Sequence, residues 1–165
     1  DVRAMLPDVA LSTDMIVGFP GETDSDFRDT LSLTRAAQFN SMFSFKYSPR
    51  PNTLADKRMA DDVPEEIKTQ RIVELQALQR SIQETINASM IGTTVDVLID
   101  SASRRRDTEL SGRTSQNTVV NLPGDPSWIG QTRRVHIERS GAYSVWGQVS
   151  LTAGAPAPTL QSTRH

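Results

Sequence analysis

The chain of 165 residues contains no cysteine. Disulfides, thiolate nucleophiles and cysteine-ligated zinc or iron–sulfur centres are therefore impossible within it. Histidine is nearly as scarce: His136 and His165 are the two in the sequence, the second at the end of a polar stretch, which removes a histidine-rich metal site as well. An excess of one charge is also missing, since 18 Lys and Arg face 20 Asp and Glu for a net charge of −2. That balance gives no overall pull towards nucleic acid or an anionic membrane, so any polyanion site has to be local. No run approaches the ~20 apolar residues of a membrane span, and the N-terminus lacks the basic-then-apolar plan of a signal peptide. A cytoplasmic protein without a membrane partner is expected. The sequence starts at Asp1 and passes through Val9-Ala10-Leu11 almost directly into a buried-looking segment. This suggests a fragment whose N-terminal part, on the same polypeptide, is its natural neighbour.

What is present is enough for folding: 36% hydrophobic residues support one ordinary domain or two small ones. Acidic side chains outnumber basic ones before Met90, whereas basic ones are marginally ahead between Met90 and Thr152. The apolar runs Val9-Ala10-Leu11 and Met15-Ile16-Val17 within residues 8–19 predict a strand buried on both faces, stopped by Gly18-Phe19-Pro20-Gly21. Thr23 and Asp26 fit a capping box, and Phe27, Leu31, Leu33, Ala36, Ala37 and Phe39 predict the stripe of a helix. Residues 42–48 predict a second strand, barred from continuing by Pro49 and Pro51. Strand, helix and strand in this order imply parallel pairing and a piece of an α/β sheet or barrel.

Pro64, Glu65 and Glu66 start a long amphipathic helix with Ile67, Ile72, Leu75, Leu78, Ile82 and Ile86 on its apolar side and Gly92 beyond its end. Its roughly 25 residues would extend about 37 Å, enough to link two domains. The texture then turns β: segments 93–100, 118–122, 132–137 and 145–149 predict four or five short strands of a small closed barrel of OB-like type. The expected division is 1–89, 90–152 and a disordered tail at 153–165.

Three sites stand out, each with a structural alternative. Gly18-Phe19-Pro20-Gly21-Glu22-Thr23 lies at the C-terminal end of the first predicted parallel strand, where α/β folds gather ligands. It lacks the Lys-Ser/Thr of a P-loop and the third glycine of a dinucleotide loop, and on its residues alone a purely structural turn accounts for it better than a ligand site does. Lys46-Tyr47-Ser48-Pro49-Arg50-Pro51-Asn52-Thr53 follows the second strand; Arg50 could grip an oxyanion, or the loop could be a proline-stiffened connection with solvated charges. Arg104-Arg105-Arg106, then Arg113, Asn117 and Arg133-Arg134, could follow a phosphate backbone over the barrel, or form a solvated face that Asp107 and Glu109 partly neutralise. No catalytic residue and no metal ligand is assigned. Asp24 and Asp26 suit a helix start, Asp14 has no partner in the pattern, and His136 reads as a strand residue.

Taken together, segments 11–23, 43–53 and 112–121 closely resemble, in order, the radical-SAM methylthiotransferases, and within them the tRNA-2-methylthio-N6-dimethylallyladenosine synthases. The resemblance covers residues 1 to about 152 and implies a fold. It would be the C-terminal portion of a radical-SAM partial β/α barrel, a long linking helix and an all-β TRAM barrel. It implies S-adenosylmethionine and [4Fe-4S] clusters in the full-length parent, whose 5′-deoxyadenosyl radical activates C2 of isopentenylated adenosine beside the anticodon. It implies the anticodon stem-loop of tRNA, and not DNA, as the partner. Ile16, Val17 and Gly18 match the strand packed near the adenosyl group. Lys46, Tyr47 and Arg50 match the last barrel strand and its loop, and Arg113 and Asn117 match the TRAM pattern, with Arg104 and Arg105 as further RNA contacts. Two departures matter: the cluster cysteines are absent, so the chain alone is expected to be inert, and Asn52 stands where the family motif commonly has glycine. The branches acting on threonylcarbamoyl-adenosine or a ribosomal protein, a stand-alone RNA-binding TRAM module, and a remnant without ligand are the alternatives.

Overall fold

Alternation along the first strand decides which of its residues meet a core, and only half of them do. The computed structural model describes residues 2–103 and 108–150. A single helical turn, α1 (Val2–Met5), precedes β1 (Ser12–Val17), α2 (Asp24–Ala37) and β2 (Ser41–Lys46). β1 and β2 are parallel, in register from Ser12↔Ser41 to Val17↔Lys46, as a crossover through α2 demands. The strand is shorter than residues 8–19 and is not buried on both faces. Val17 packs completely inside with Phe27, Leu31 and Leu75, while Met15 and Met42 join from the same side. Ile16, Phe43 and Phe45 lie on the other face and remain 55%, 65% and 53% exposed. α2 and the long helix cover one side of this two-stranded sheet and leave the other open.

The capping box forms as expected: the Thr23 hydroxyl accepts from the Asp26 N–H while the Asp26 carboxylate accepts from the Thr23 N–H. The stripe of α2 differs from expectation, because Thr34 is buried and Leu33 is exposed. Phe27, Leu31 and Thr34, at spacings of four and three, share one face, which Leu33 misses. Burying Thr34 is tolerated because its hydroxyl donates to the Thr30 carbonyl at 2.8 Å.

A short helix, α3 (Leu54–Arg58), capped by Thr53, leads to α4 (Glu65–Ser89). α4 has the expected 25 residues, yet its fully buried positions are Lys68, Arg71, Leu75, Ile82 and Asn87. Ile67, Ile72, Leu78 and Ile86 are half-buried at its flanks. No helix among the described residues is long and apolar enough to cross a membrane.

Beyond Gly92 five strands close into a barrel: β3 (Thr94–Ala102), β4 (Glu109–Arg113), β5 (Val119–Pro123), β6 (Thr132–Ser140) and β7 (Val145–Val149), in the order β3-β4-β5-β7-β6. β4 adds one strand to the four segments evident by pattern; Leu110 is its single bulky apolar residue. Val97, Ile99, Leu110, Val120, Leu122, Val135, Ile137 and Val145 fill the interior. Gly112 and Gly147 sit where β4 meets β3 and β7 meets β6 so closely that a Cβ would collide with the carbonyls of Leu98 and His136. His136 is exposed on β6, its Nδ1 3.3 Å from the Thr94 hydroxyl. Arg104, Arg105 and the expected tail at 153–165 lie outside the described residues.

Candidate strand-end site and nucleic-acid interface

The loops after β1 and β2 meet the first turns of α4. Gly18 has φ of +69°, a conformation that L side chains rarely adopt, and it leaves room for the Lys68 stem, with which a Cβ would clash. The Gly18 N–H donates to the Glu22 carboxylate, the Glu22 N–H donates to the Phe19 carbonyl at 2.9 Å, and the Gly21 N–H donates to Asp62 at 2.8 Å. Arg71 binds this loop from α4: Nη1 donates to Glu22 Oε2 at 2.9 Å and to the Glu22 carbonyl at 3.1 Å, and Nη2 to Asp24 Oδ1 at 2.8 Å. Burial pushes the Arg71 guanidinium down, but the hydrogen bond to Asp24 and the charge of Glu22 more than offset this and hold its pKa above the ordinary value. Lys68 is likewise buried; its ammonium donates to both Asp61 oxygens at 2.6 Å and lies 5.4 Å from the Tyr47 ring centroid. Both cations are committed to carboxylates, so the loop conformation is held by charge as well as by turn geometry.

The expected cofactor residues divide by face. Ile16 is on the open side of the sheet, whereas the Val17 side chain is in the core and its carbonyl accepts from the Tyr47 N–H at 2.8 Å. The Gly18 amide is occupied by Glu22. Lys46 pairs with Glu65, with Thr69 Oγ1 at 3.3 Å. Tyr47 packs edge-on against Phe19 at 5.0 Å between ring centroids. Arg50 is exposed, and its carbonyl accepts from the Thr53 hydroxyl and N–H at 2.8 and 3.2 Å. Asn52 takes a left-handed φ of 71°, the conformation a glycine would favour and one that asparagine tolerates.

On the barrel, Arg113 and Asn117 come together at the β4–β5 turn. Arg113 Nη1 donates to Asn117 Oδ1 at 2.9 Å, and Nε lies 3.6 Å from Asp100. Asn117 also has a left-handed φ, 64°, and its N–H donates to the buried Thr114 at 2.9 Å. Arg134 faces Asp96 across the strands at 4.0 Å, and Arg133 lies over Trp128 at 5.3 Å. Part of the local positive charge is thus neutralised in place.

Several residues that build these sites carry no motif. Lys68 and Arg71 fall on the face of α4 that continues as Leu75 and Ile82, and this phase is the signal that would have exposed them. Asn87, 1% exposed, has no such signal in sequence: its Nδ2 donates to the Gly141 and Ala142 carbonyls at 2.7 and 3.3 Å, fixing the β6–β7 turn to the helix.

Residues 88–149 match the TRAM domain. Over 148 residues, 90% of its length, the chain is 43% identical to a tRNA-2-methylthio-N(6)-dimethylallyladenosine synthase of Coxiella burnetii (strain RSA 331 / Henzerling II), covering 34% of that protein. It is 46% identical over 154 residues to the synthase of the same name from Halorhodospira halophila (strain DSM 244 / SL1), covering 32% of it. For that of Francisella tularensis subsp. novicida (strain U112) the identity is 45% over 148 residues and the coverage 33%. The chain therefore spans about one third of the length of the curated relatives it matches. Its closed five-stranded barrel matches the TRAM domain, and nearly the whole chain is similar to about one third of these tRNA-2-methylthio-N(6)-dimethylallyladenosine synthases.

Proposed function

We propose that this chain is the C-terminal part of a radical-SAM enzyme that installs a methylthio group on isopentenylated adenosine beside the tRNA anticodon, contributing the closing wall of the catalytic barrel and the RNA-holding TRAM module. The observation that carries this reading is the identity of 43–46% to named synthases across both the β–α–β unit and the barrel. The open sheet face with Ile16, Phe43 and Phe45 supports it, since an apolar face of this kind suits the inside of a larger barrel. In the whole enzyme the protein would work in the cytoplasm.

An iron–sulfur cluster does not fit this chain. Cysteine is absent from the sequence, and no group of three or more His, Asp or Glu gathers among the described residues. The ligands have to come from elsewhere in the polypeptide. For S-adenosylmethionine the fit is one apolar wall. Ile16, paired across the strands with Phe45, can pack against an adenosyl group, while the Val17 carbonyl and the Gly18 amide are already engaged. The bound cofactor would supply the radical; the residues of this chain orient the adenosine and exclude water around it.

On the RNA side, Arg113 and Asn117, with Arg104 and Arg105, are the expected phosphate contacts of the barrel, and Lys46, Tyr47 and Arg50 those of the strand-end loop. An anticodon stem-loop should bind the chain with strong salt dependence, and Arg113→Ala should lower affinity and flatten the salt slope by about one unit. No binding even at low salt would refute the RNA-holding role. For the enzymatic parentage, replacing the matching third of the Halorhodospira halophila relative with this chain tests function. A well-expressed chimera that leaves tRNA without the methylthio group, read by mass spectrometry, would refute it.

A further inference from the structure

A row of three adjoining hollows runs over the surface from the open edge of β2 to the outer wall of the barrel. Its first stretch, about 460 Å³, lies between β2 and α4 and includes Phe43, Phe45, Gln76 and Gln83. Arg80 and Tyr143 form its far end and are also the near wall of a second stretch of about 540 Å³. That stretch continues to Asn121, Arg139 and Trp146, which in turn line a third of about 240 Å³. Shared walls place the three hollows side by side.

Aromatic rings paired with cations recur along the row. Two aromatic rings each carry a guanidinium on one face: Arg80 lies 5.8 Å from the Tyr143 ring and Arg139 5.4 Å from that of Trp146. Tyr143 is 76% exposed, although it sits on a turn that the buried Asn87 fixes to α4. A large apolar ring held out to solvent on an anchored turn is preorganised for stacking. Asn121 lies beside Trp146 on the neighbouring strand, and Gln76 and Gln83 line the other end, so amides that read base edges accompany the rings. Glu109 and Glu138 also line the hollows, which makes them a poor phosphate cradle and favours the bases of a strand over its backbone.

We propose that this row of hollows is a track that receives the unpaired nucleotides of an RNA loop, stacks bases on Tyr143 and Trp146, and leads the strand from the TRAM barrel to the open face of the β1–β2 sheet. The proposal rests on the RNA-holding role argued above and specifies where and how that RNA is held. The test compares binding of the chain to an RNA stem-loop and to a blunt RNA duplex of equal phosphate count, by fluorescence anisotropy. Tyr143→Ala and Trp146→Ala should each weaken stem-loop binding about tenfold and leave duplex binding and the salt slope unchanged. Tyr143→Phe should retain the wild-type affinity, because the ring and not the hydroxyl makes the stack. Circular dichroism is the check that Trp146→Ala folds, and the exposed Tyr143 supplies the variant that leaves the core untouched. Stem-loop binding that survives both alanine variants at full strength overturns the track while leaving the RNA-holding role intact. Absence of binding to either RNA overturns both.

Discussion

Replacing Arg71 should damage the β–α–β unit far more than its place on a helix surface pattern suggests. The Arg71 side chain is 7% exposed and its partner Glu22 10%, so Arg71→Met leaves a carboxylate out of water with the Gly18 N–H as its remaining donor. Breaking a buried pair by removing one partner costs about 3–5 kcal/mol, because the other charge stays uncompensated. Asp24, the second partner, is 82% exposed, and an exposed pair contributes about 0–1 kcal/mol, so Asp24→Ala should cost little. Removing both buried charges in Arg71→Met/Glu22→Leu should restore most of the loss, since no ion then has to be desolvated. With a urea dependence of about 2 kcal/mol per molar, the single variant lowers the midpoint by about 2 M. Trp128 and Trp146 are the tryptophans of the sequence and both belong to the barrel. Their fluorescence follows the barrel, while far-ultraviolet circular dichroism follows α2 and α4. The reasoning fails if Arg71→Met costs less than about 1 kcal/mol in the dichroism transition, or if Asp24→Ala costs as much as Arg71→Met.

Asn87→Ala should destabilise the chain by about 1–3 kcal/mol by leaving the Gly141 and Ala142 carbonyls without their donor, and chemical denaturation of the variant at unchanged slope would show it. Gly147→Ala forces a methyl group against the His136 carbonyl on the adjoining strand, and should cost the barrel about 1–3 kcal/mol or more in a tryptophan-monitored melt; a wild-type melt would contradict the close approach. The hydroxyl and then the backbone N–H of Thr23 hold the Asp26 pKa below its ordinary 3.8, so the folded state takes up this proton less readily than the unfolded one. The resulting stability is present above that value and lost as pH falls through the lower folded value. Asp26→Asn should therefore be less stable than the wild type at neutral pH, with the difference closing in acid; a difference independent of pH would exclude the cause.

What could be read from the residues in order was whatever rests on local chemistry. The capping box at Thr23 and Asp26 needs two side chains three positions apart, and α4 needs a start at Pro64 and a glycine after its end; both are properties of short segments. Burial of one strand face was not legible, because Met15-Ile16-Val17 is apolar throughout and only the position of α2 and α4 makes Val17 core and Ile16 surface. β4 escaped notice for a related reason: Glu-Leu-Ser-Gly-Arg has one large apolar residue, and Gly112, which looks like a strand breaker, is there because β3 comes too close for anything larger. The buried ions were hidden by an ordinary assumption. Lys68 and Arg71 look like the polar side of an amphipathic helix until Asp61, seven residues before Lys68, and Glu22, 49 residues before Arg71, arrive to pair with them. The strand-end motif thus draws its conformation from outside itself. Its glycines permit the turn, but the cations of α4 select it, so a change in the helix should be felt in the loop before any motif residue is altered.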